Sequence, residues 1–260
     1  MASGTLPRAL APLIDFVYPP RCPVCGEGIA AGPGLCADCW AMLEFPGQPA
    51  CSRCQIPLSG RWDGEQCGAC LAHAPSHSGV SAAVLYTEPA RQIVLRFKHG
   101  GRIGLATLMA RLIAARLPEG TGEAVLVPVP LHRTRLWLRG YNQAALLAQA
   151  LARESGRVVA VDALSRTRAT STLGGLGKAA RARELRGAII ANRHREGSIA
   201  GKDVVLVDDV LTSGATNAAC TGALLGAGAR SVHIACFARV MDASALKRET
   251  PETNMVPGAA

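Results

Sequence analysis

The chain has 260 residues, of which 49% are hydrophobic and 18% are charged. This composition supports a buried core and excludes a disordered tail or a fibrous repeat. The formal net charge of +9 is unevenly distributed, because residues 1–80 carry four basic and six acidic side chains whereas residues 81–260 carry 24 and 13. The basic charge of the second part fits either nucleic acid or a small polyphosphorylated ligand, and charge alone does not choose between them.

No apolar run in the sequence approaches the roughly 20 residues that a membrane-spanning helix needs. The most apolar N-terminal stretch, residues 6–17, is interrupted by Arg8, Pro12 and Asp15. It therefore does not resemble a secretory signal or a membrane anchor. We expect a soluble, cytoplasmic protein without a membrane span.

Eight of the ten cysteines form four Cys-x-x-Cys pairs. The pairs are Cys22/Cys25, Cys36/Cys39, Cys51/Cys54 and Cys67/Cys70. Each turn of this kind places two thiolates on one side of a short knuckle, and two knuckles complete a tetrahedral S4 site that suits Zn²⁺. A disulfide framework is the alternative, but it needs an oxidising compartment for which the chain shows no signal. The spacing predicts two structural zinc ions, paired most simply in sequence order, although interleaved pairing stays open.

From about residue 80, short apolar runs alternate with alanine-rich segments that have a helical pattern. The predicted strands cover residues 82–86, 125–129, 158–164, 204–207 and 232–237, and the predicted helices cover residues 103–116, 143–154 and 216–225. The run at 204–207 is apolar on both faces, as a central strand of a parallel sheet requires. The pattern predicts an α/β fold with a central parallel sheet flanked by helices.

Two acids and a loop rich in hydroxyl groups follow the strand at 204–207 and lead into a helix. The acids are Asp208 and Asp209, and the loop residues are Thr212, Ser213, Gly214, Ala215 and Thr216. Adjacent carboxylates at a strand end are costly unless they bind something, such as hydroxyls or a hydrated Mg²⁺. The loop supplies hydroxyl donors and the N–H groups of a helix N-terminus, which together suit a phosphate. A solvated acid pair followed by a capped turn is the alternative interpretation.

This segment resembles the signature of type I phosphoribosyltransferases that binds phosphoribosyl pyrophosphate (PRPP). By that resemblance, Asp208 and Asp209 are the catalytic acids that face the ribose hydroxyls, and the loop at 212–216 holds the 5′-phosphate. Mg²⁺ is expected to bind together with PRPP. The resemblance predicts no acceptor.

Three further segments resemble the ComF/GntX-like family of competence-associated proteins. They are Phe97-Lys98-His99-Gly100, Val127-Pro128-Val129-Pro130-Leu131-His132 and Arg139-Gly140-Tyr141-Asn142-Gln143. The resemblance implies a double zinc-ribbon module at 1–78 and a type I phosphoribosyltransferase fold at 79–240. The composition of residues 241–260, with two prolines and mostly polar or small residues, predicts a flexible tail. The resemblance also implies that Pro130 and Leu131 approach the pyrophosphate, with Arg133 and Arg139 as anion contacts. Arg135 is equally well explained as ordinary surface charge.

One segment departs from the family pattern. Leu173 stands where glutamine is usual, Glu184 replaces asparagine and Ile189 replaces phenylalanine. In phosphoribosyltransferases the corresponding loop closes over the reacting centre and excludes water. We expect the departure to affect turnover more than PRPP binding.

Two functions follow from these patterns. The first is a PRPP-binding phosphoribosyltransferase that acts on an unidentified nitrogen acceptor and is linked to DNA uptake. The second is a non-catalytic interaction protein for DNA uptake or processing, with a regulatory or vestigial PRPP site and with single-stranded DNA or DNA-processing proteins as partners. The sequence gives no indication of oligomeric state.

Overall fold

The computed structural model describes residues 20–29, 34–58, 64–99, 101–168, 185 and 187–241. Leu173 and Glu184, on which the family departure depends, lie outside the described residues. The tail predicted at 241–260 also lies outside them, except for Met241.

The N-terminal part repeats one small plan twice. In the first ribbon an antiparallel bridge joins Arg21 to Gly28, and helix α1 (Ala37–Ala41) carries the second knuckle. In the second ribbon a bridge joins Ala50 to Pro57, and helix α2 (Gly68–Ala72) has the same role. Each ribbon is too small to bury a core of its own, so its order depends on a metal or on packing against the rest of the chain.

The body contains a four-stranded parallel sheet. In chain order the strands of the body are β1 (Gly79–Leu85), β2 (Val125–Pro128), β3 (Leu164–Arg166), β4 (Ile189–Ala191), β5 (Asp203–Leu211) and β6 (Ser231–Arg239). The sheet order is β1-β6-β5-β2, with every neighbouring pair parallel, and β3 and β4 form a separate antiparallel pair. This arrangement confirms the predicted α/β fold.

Helices cover both faces of the sheet. They are α3 (Glu88–His99), α4 (Leu105–Ala114), α5 (Arg133–Arg139), α6 (Gln143–Ser155), α7 (Glu196–Ile199) and α8 (Ala215–Gly226). Helices α3, α4 and α6 bury one core against Val205, Val207 and Phe237. Helix α8 contributes to a second core with Leu206 and Ile234, on the opposite face. Among the helices that the structure describes, none could span a membrane.

The structure corrects two of the predicted strands. The strand predicted at 158–164 is reduced to a single parallel bridge between Leu126 and Val159, because the chain turns away at 161–163 before a ladder can form. The strand predicted at 204–207 continues to Leu211, because β6 runs beside it as far as Arg239. Asp208 and Asp209 therefore lie within β5 and not after it.

The N-terminal module covers the free edge of strand β1. The Oε1 atom of Gln55 accepts a hydrogen bond of 2.8 Å from the backbone N–H of Ala82, and the carbonyl of Glu44 accepts one of 2.7 Å from Leu85. An uncovered edge strand would offer these donors to other chains. The first ribbon also shares the larger core, where Cys22 and Cys39 are buried. The two ribbons therefore complete the body of the fold.

Candidate functional site

A cavity of about 360 Å³ opens at the carboxyl ends of β2 and β5. Ligands of open parallel sheets bind at this end of the strands. Eight of the predicted site residues line the cavity, namely Pro130, Leu131, Asp208, Thr212, Ser213, Gly214, Ala215 and Thr216. The structure thus brings together the predicted turn after β2 and the predicted loop after β5.

The two acids of β5 have different surroundings. Asp208 faces the cavity, where its carboxylate accepts hydrogen bonds from the backbone N–H of Asp209 at 2.9 Å and from Nδ2 of Asn217 at 3.2 Å. Asp209 is buried, and its Oδ1 lies 3.1 Å from Nζ of Lys98. Its Oδ2 has no hydrogen-bond partner among the described residues. One acid is therefore available to a ligand, and the other is held by a lysine.

Burial raises the pKa of Asp208 to about 7, and the neighbouring charge of Asp209 acts in the same direction. The positive charge of Lys98 and the two hydrogen bonds offset part of this effect. Near neutral pH the Asp208 carboxyl thus lies close to its midpoint of ionisation. A group in this state can accept hydrogen bonds from ribose hydroxyls or carry a proton.

The loop after β5 ends at the N-terminus of a long helix. Gly214, at the N-cap position of α8, has a φ of 75°, in the left-handed region that favours glycine. No described side chain caps this helix, whereas Asn142 caps α6 by accepting a hydrogen bond from Ala144. The free N–H groups of the first turn therefore face the cavity together with the hydroxyls of Thr212, Ser213 and Thr216. Such an N-terminus favours an anion.

Three basic side chains line the cavity, and none of them was predicted as a site residue from the sequence. Lys98 comes from the end of α3, Arg135 from α5 and Arg166 from β3. Burial lowers the pKa of Arg166, and the nearby charge of Arg135 contributes to this effect. Arg133 and Arg139, which were predicted as anion contacts, are not among the residues that line the cavity. Their proposed role stays a prediction.

The pattern of α3 indicates that Lys98 lies beside the buried face of the helix, although it does not identify Asp209 as its partner. Ala90, Ile93, Val94 and Phe97 are buried at helical spacing, so the residue after Phe97 lies beside the buried stripe. The hydroxyl of Tyr141 donates a hydrogen bond to the carbonyl of Phe97, which ties the end of α3 to the chain entering α6. A polar residue in that position faces the rim of the sheet.

The turn after β2 is held by α6. Nδ2 of Asn142 donates a hydrogen bond of 3.1 Å to the carbonyl of Val129, while its Oδ1 caps the helix. One side chain thus fixes both the helix start and the backbone that leads to Pro130 and Leu131. The turn approaches the cavity in a defined conformation.

The eight predicted zinc ligands form two clusters in sequence order. One contains Cys22, Cys25, Cys36 and Cys39, and the other contains Cys51, Cys54, Cys67 and Cys70, with the Sγ atoms of each cluster within 4.8 Å of one another. Zinc–sulfur bonds of about 2.3 Å in a tetrahedron place the sulfur atoms about 3.8 Å apart, which fits this spacing. The clusters exclude interleaved pairing.

The cysteines also have the chemistry of a closed zinc site. All ten cysteines of the chain are described, and none of them forms a disulfide. Burial raises the pKa of the Cys39 and Cys70 thiols well above the ordinary range, and the neighbouring thiols contribute to this effect. Without a cation these thiols hold their protons, and a bound Zn²⁺ would supply the charge that stabilises the thiolate form. With four thiols in each cluster, no position is left open for a substrate, as in structural zinc sites.

Two family models match separate parts of the chain. The double zinc ribbon domain family matches residues 13–71, and the phosphoribosyl transferase domain family matches residues 140–255. The DNA utilization protein YhgH of Escherichia coli (strain K12) is 30% identical over 233 residues, which cover 87% of this chain and all of the relative. Competence protein F of Haemophilus influenzae is 33% identical over 204 residues, covering 75% of this chain and 86% of the relative.

A shorter similarity involves a different kind of protein. Ribose-phosphate pyrophosphokinase of Corynebacterium efficiens is 46% identical over 68 residues, which are 26% of this chain and 21% of that protein. The similarity to this protein is thus limited to one segment, whereas the first two relatives match along most of the chain.

Proposed function

This chain belongs to the ComF family, whose members join a double zinc ribbon to a phosphoribosyltransferase domain, and from this premise we propose that it binds PRPP with Mg²⁺ and transfers the phosphoribosyl group to a nitrogen acceptor. One observation carries the proposal. A single cavity combines the carboxylate of Asp208, which faces it, the uncapped N-terminus of α8 and three basic side chains. PRPP has a hydroxyl pair, a phosphate and a pyrophosphate, which these groups complement.

Each part of PRPP has a proposed contact. The loop of Thr212, Ser213, Gly214, Ala215 and Thr216 would hold the 5′-phosphate, and Asp208 would accept hydrogen bonds from the ribose hydroxyls. Asp209 would act through its ion pair with Lys98. The pyrophosphate would lie near the turn of Pro130 and Leu131, where Arg135 and Arg166 supply positive charge. Mg²⁺ keeps most of its water and binds through substrate phosphates, so it would enter with PRPP.

The proposed reaction needs no nucleophilic side chain. The bond from C1′ to the pyrophosphate oxygen breaks, and its electron pair leaves with pyrophosphate. The acceptor nitrogen forms a bond to C1′ and loses one proton to solvent. The ribose passes through a positively charged state, which the carboxylate of Asp208 would stabilise. Mg²⁺ would offset the charge of the leaving pyrophosphate. The protein contributes position and charge.

Isothermal titration calorimetry tests the proposal. Zinc-replete protein is titrated with PRPP in the presence and absence of Mg²⁺, and the Asp208→Asn/Asp209→Asn variant is compared with the exposed control Asp162→Asn. We expect binding that depends on Mg²⁺, that survives the control substitution and that the double substitution abolishes. Equal binding by the double variant, or no binding by folded parent protein, would contradict the proposal.

A specific surface favours a second candidate function, which is the binding of single-stranded DNA. Helix α5 has no buried residue, and the side chains of Trp137 and Leu138 are 85% and 77% exposed. Arg133, Arg135 and Arg139 lie on the same helix. An exposed aromatic ring next to arginines can stack on a base while the guanidinium groups contact phosphates. The names of two relatives, a DNA utilization protein and a competence protein, agree with this candidate.

Fluorescence anisotropy with a labelled oligothymidine tests the second candidate. If the protein binds DNA through α5, the affinity falls with salt, drops in Trp137→Ala and survives Asp208→Asn/Asp209→Asn. The matched control is Trp40→Ala, in which the substituted ring lies on the first ribbon and packs against Phe45. Absence of binding at low salt would exclude this candidate.

The domain limits and the location of the protein stay part of the proposal. We propose modules at 1–78 and 79–240, a tail at 241–260 and a cytoplasmic location. The ten cysteines, which form no disulfide, agree with a reducing compartment.

A further inference from the structure

A second cavity, of about 820 Å³, lies between the second zinc ribbon and the sheet face that α8 covers. It reaches from β1 and β6 to the loop at 212–215, which lines both cavities. Its volume falls within the range of roughly 300–1,000 Å³ that is usual for sites of small organic ligands. The cavity contains none of Lys98, Asp208 or Arg166, which belong to the first site.

Most of the described lining of this second cavity is aliphatic. The ribbon contributes Ile56, the sheet contributes Val80, Leu211 and Ile234, and α8 contributes Ala218 and Ala219. A surface of this kind favours a ligand with an apolar body, because it gains little from hydrogen bonding and much from the removal of water.

Two polar side chains in the lining each have a buried nitrogen that lacks a hydrogen-bond partner in the described part of the chain. The Nε and Nη1 atoms of Arg239 are buried and have no hydrogen-bond partner among the described residues, and the same holds for Nδ1 of His77. Arg239 ends strand β6, and His77 lies in the segment between the second ribbon and β1. Leaving a charged donor unsatisfied is costly. An acceptor with negative charge would satisfy the guanidinium group.

The charges around the cavity also favour a negatively charged ligand. The described lining contains no aspartate or glutamate. Arg53, which donates hydrogen bonds to the carbonyls of Pro75 and Ser78, adds positive charge beside His77. Burial lowers the pKa of His77 to about 4, and the charges of Arg53 and Arg239 contribute, so the imidazole is neutral. The negative charge nearby belongs to the second cluster, whose Cys54 and Cys70 line the ribbon side and would be bound to zinc.

We propose that this second cavity binds a small organic acid, with its apolar body against α8 and the sheet and its carboxylate, sulfonate or phosphate on Arg239. The site lies on the other side of the 212–215 loop from the proposed PRPP site. The inference rests on its own cavity and polar atoms and does not depend on the proposed function.

Two fluorescent probes test both parts of the proposal on the full zinc-replete chain. The acidic probe is 1-anilinonaphthalene-8-sulfonate, and the neutral probe is N-phenyl-1-naphthylamine, which has the same rings without the sulfonate. We expect the acidic probe to bind with a stoichiometry of one per chain. Arg239→Met should weaken it by about tenfold, as expected for loss of one charge-assisted contact, and should leave the neutral probe within about twofold.

Three further variants locate the site. Ala219→Phe, which fills the cavity from α8, should abolish binding of both probes, whereas Asp208→Asn/Asp209→Asn and the exposed control Arg153→Met should not change it. Zinc content and circular dichroism establish that each variant is folded. The proposal is wrong if the acidic probe does not bind, if Ala219→Phe leaves binding unchanged, or if Arg239→Met affects the two probes equally.

Discussion

Nζ of Lys98, at the end of α3, lies 3.1 Å from Oδ1 of Asp209, in the last part of β5. The Asp209 side chain is only 5% exposed, and Lys98 is 24% exposed. The lysine therefore neutralises a buried acid from the rim of the cavity. This ion pair connects a helix that packs on the first ribbon with the strand that carries the candidate catalytic acid.

Replacement of Lys98 by methionine should destabilise the fold by about 1–3 kcal/mol, because it leaves the Asp209 carboxylate buried without its cation. The Lys98→Met/Asp209→Asn double variant should recover part of this loss. Urea unfolding of the four proteins of the cycle measures the coupling, with Lys202→Met as an exposed control. If the loss of unfolding free energy in the double variant equals the sum of the losses in the two single variants, the ion pair contributes nothing to stability.

The Asp208→Asn variant should change how stability depends on pH. Because the folded-state pKa of Asp208 is about 7 and the ordinary value is 3.8, the folded protein holds this proton more tightly than the unfolded chain. The parent protein therefore loses stability as the pH rises from about 4 to 7. Asparagine cannot ionise, so the variant should gain stability over the parent, by on the order of 1–2 kcal/mol between pH 5.5 and 8. Urea midpoints with zinc present measure this gain. A stability difference between variant and parent that does not change with pH would contradict the shifted pKa.

Replacement of Gln55 by alanine should expose the role of the second ribbon in covering β1. Gln55 accepts a hydrogen bond from Ala82, a fully buried residue, so its loss leaves a buried N–H group unsatisfied at a cost of about 1–3 kcal/mol. Gln55 has a φ of 61°, which strains alanine as much as glutamine. The backbone strain is therefore the same in the parent and in the variant. Thermal unfolding compares the variant with Gln92→Ala on α3. Equal melting temperatures would contradict the proposed edge contact.

Removal of zinc should loosen β1 as well as the ribbons. Cys22 and Cys39 are buried in the same core as Ala83 and Val84, and the ribbons accept hydrogen bonds from two β1 amides. After chelation, hydrogen exchange should accelerate in β1 and less in the central strand β5. Mass spectrometry measures both segments. Unchanged protection of β1 in metal-free protein would show that the ribbons are independent of the sheet.

The sequence was sufficient for the features that depend on local spacing. The four Cys-x-x-Cys pairs predicted two clusters, and the run at 204–207 with its acids and loop predicted the strand, the cavity edge and the helix start. These features can be predicted because each pattern lies within a few consecutive residues. The short stretch of backbone between those residues fixes their relative positions.

Features that depend on contacts between distant segments could not be predicted. Lys98 and Asp209 are separated by 110 intervening residues, and only the packing of α3 brings them together. The same holds for Arg166, which enters the cavity from β3. The strand expected at 158–164 had the right composition, but the turn that follows Val159 allows only one bridge. The sequence pattern of one segment does not show how far the strand beside it in the sheet extends.

The most direct test of the central claim is a crystal structure of the zinc-loaded protein with Mg²⁺ and PRPP. We predict that the 5′-phosphate lies about 3 Å from the backbone N–H groups at the start of α8 and that the ribose hydroxyls donate hydrogen bonds to Asp208. PRPP bound elsewhere, with the loop at 212–216 free of phosphate, would contradict this prediction.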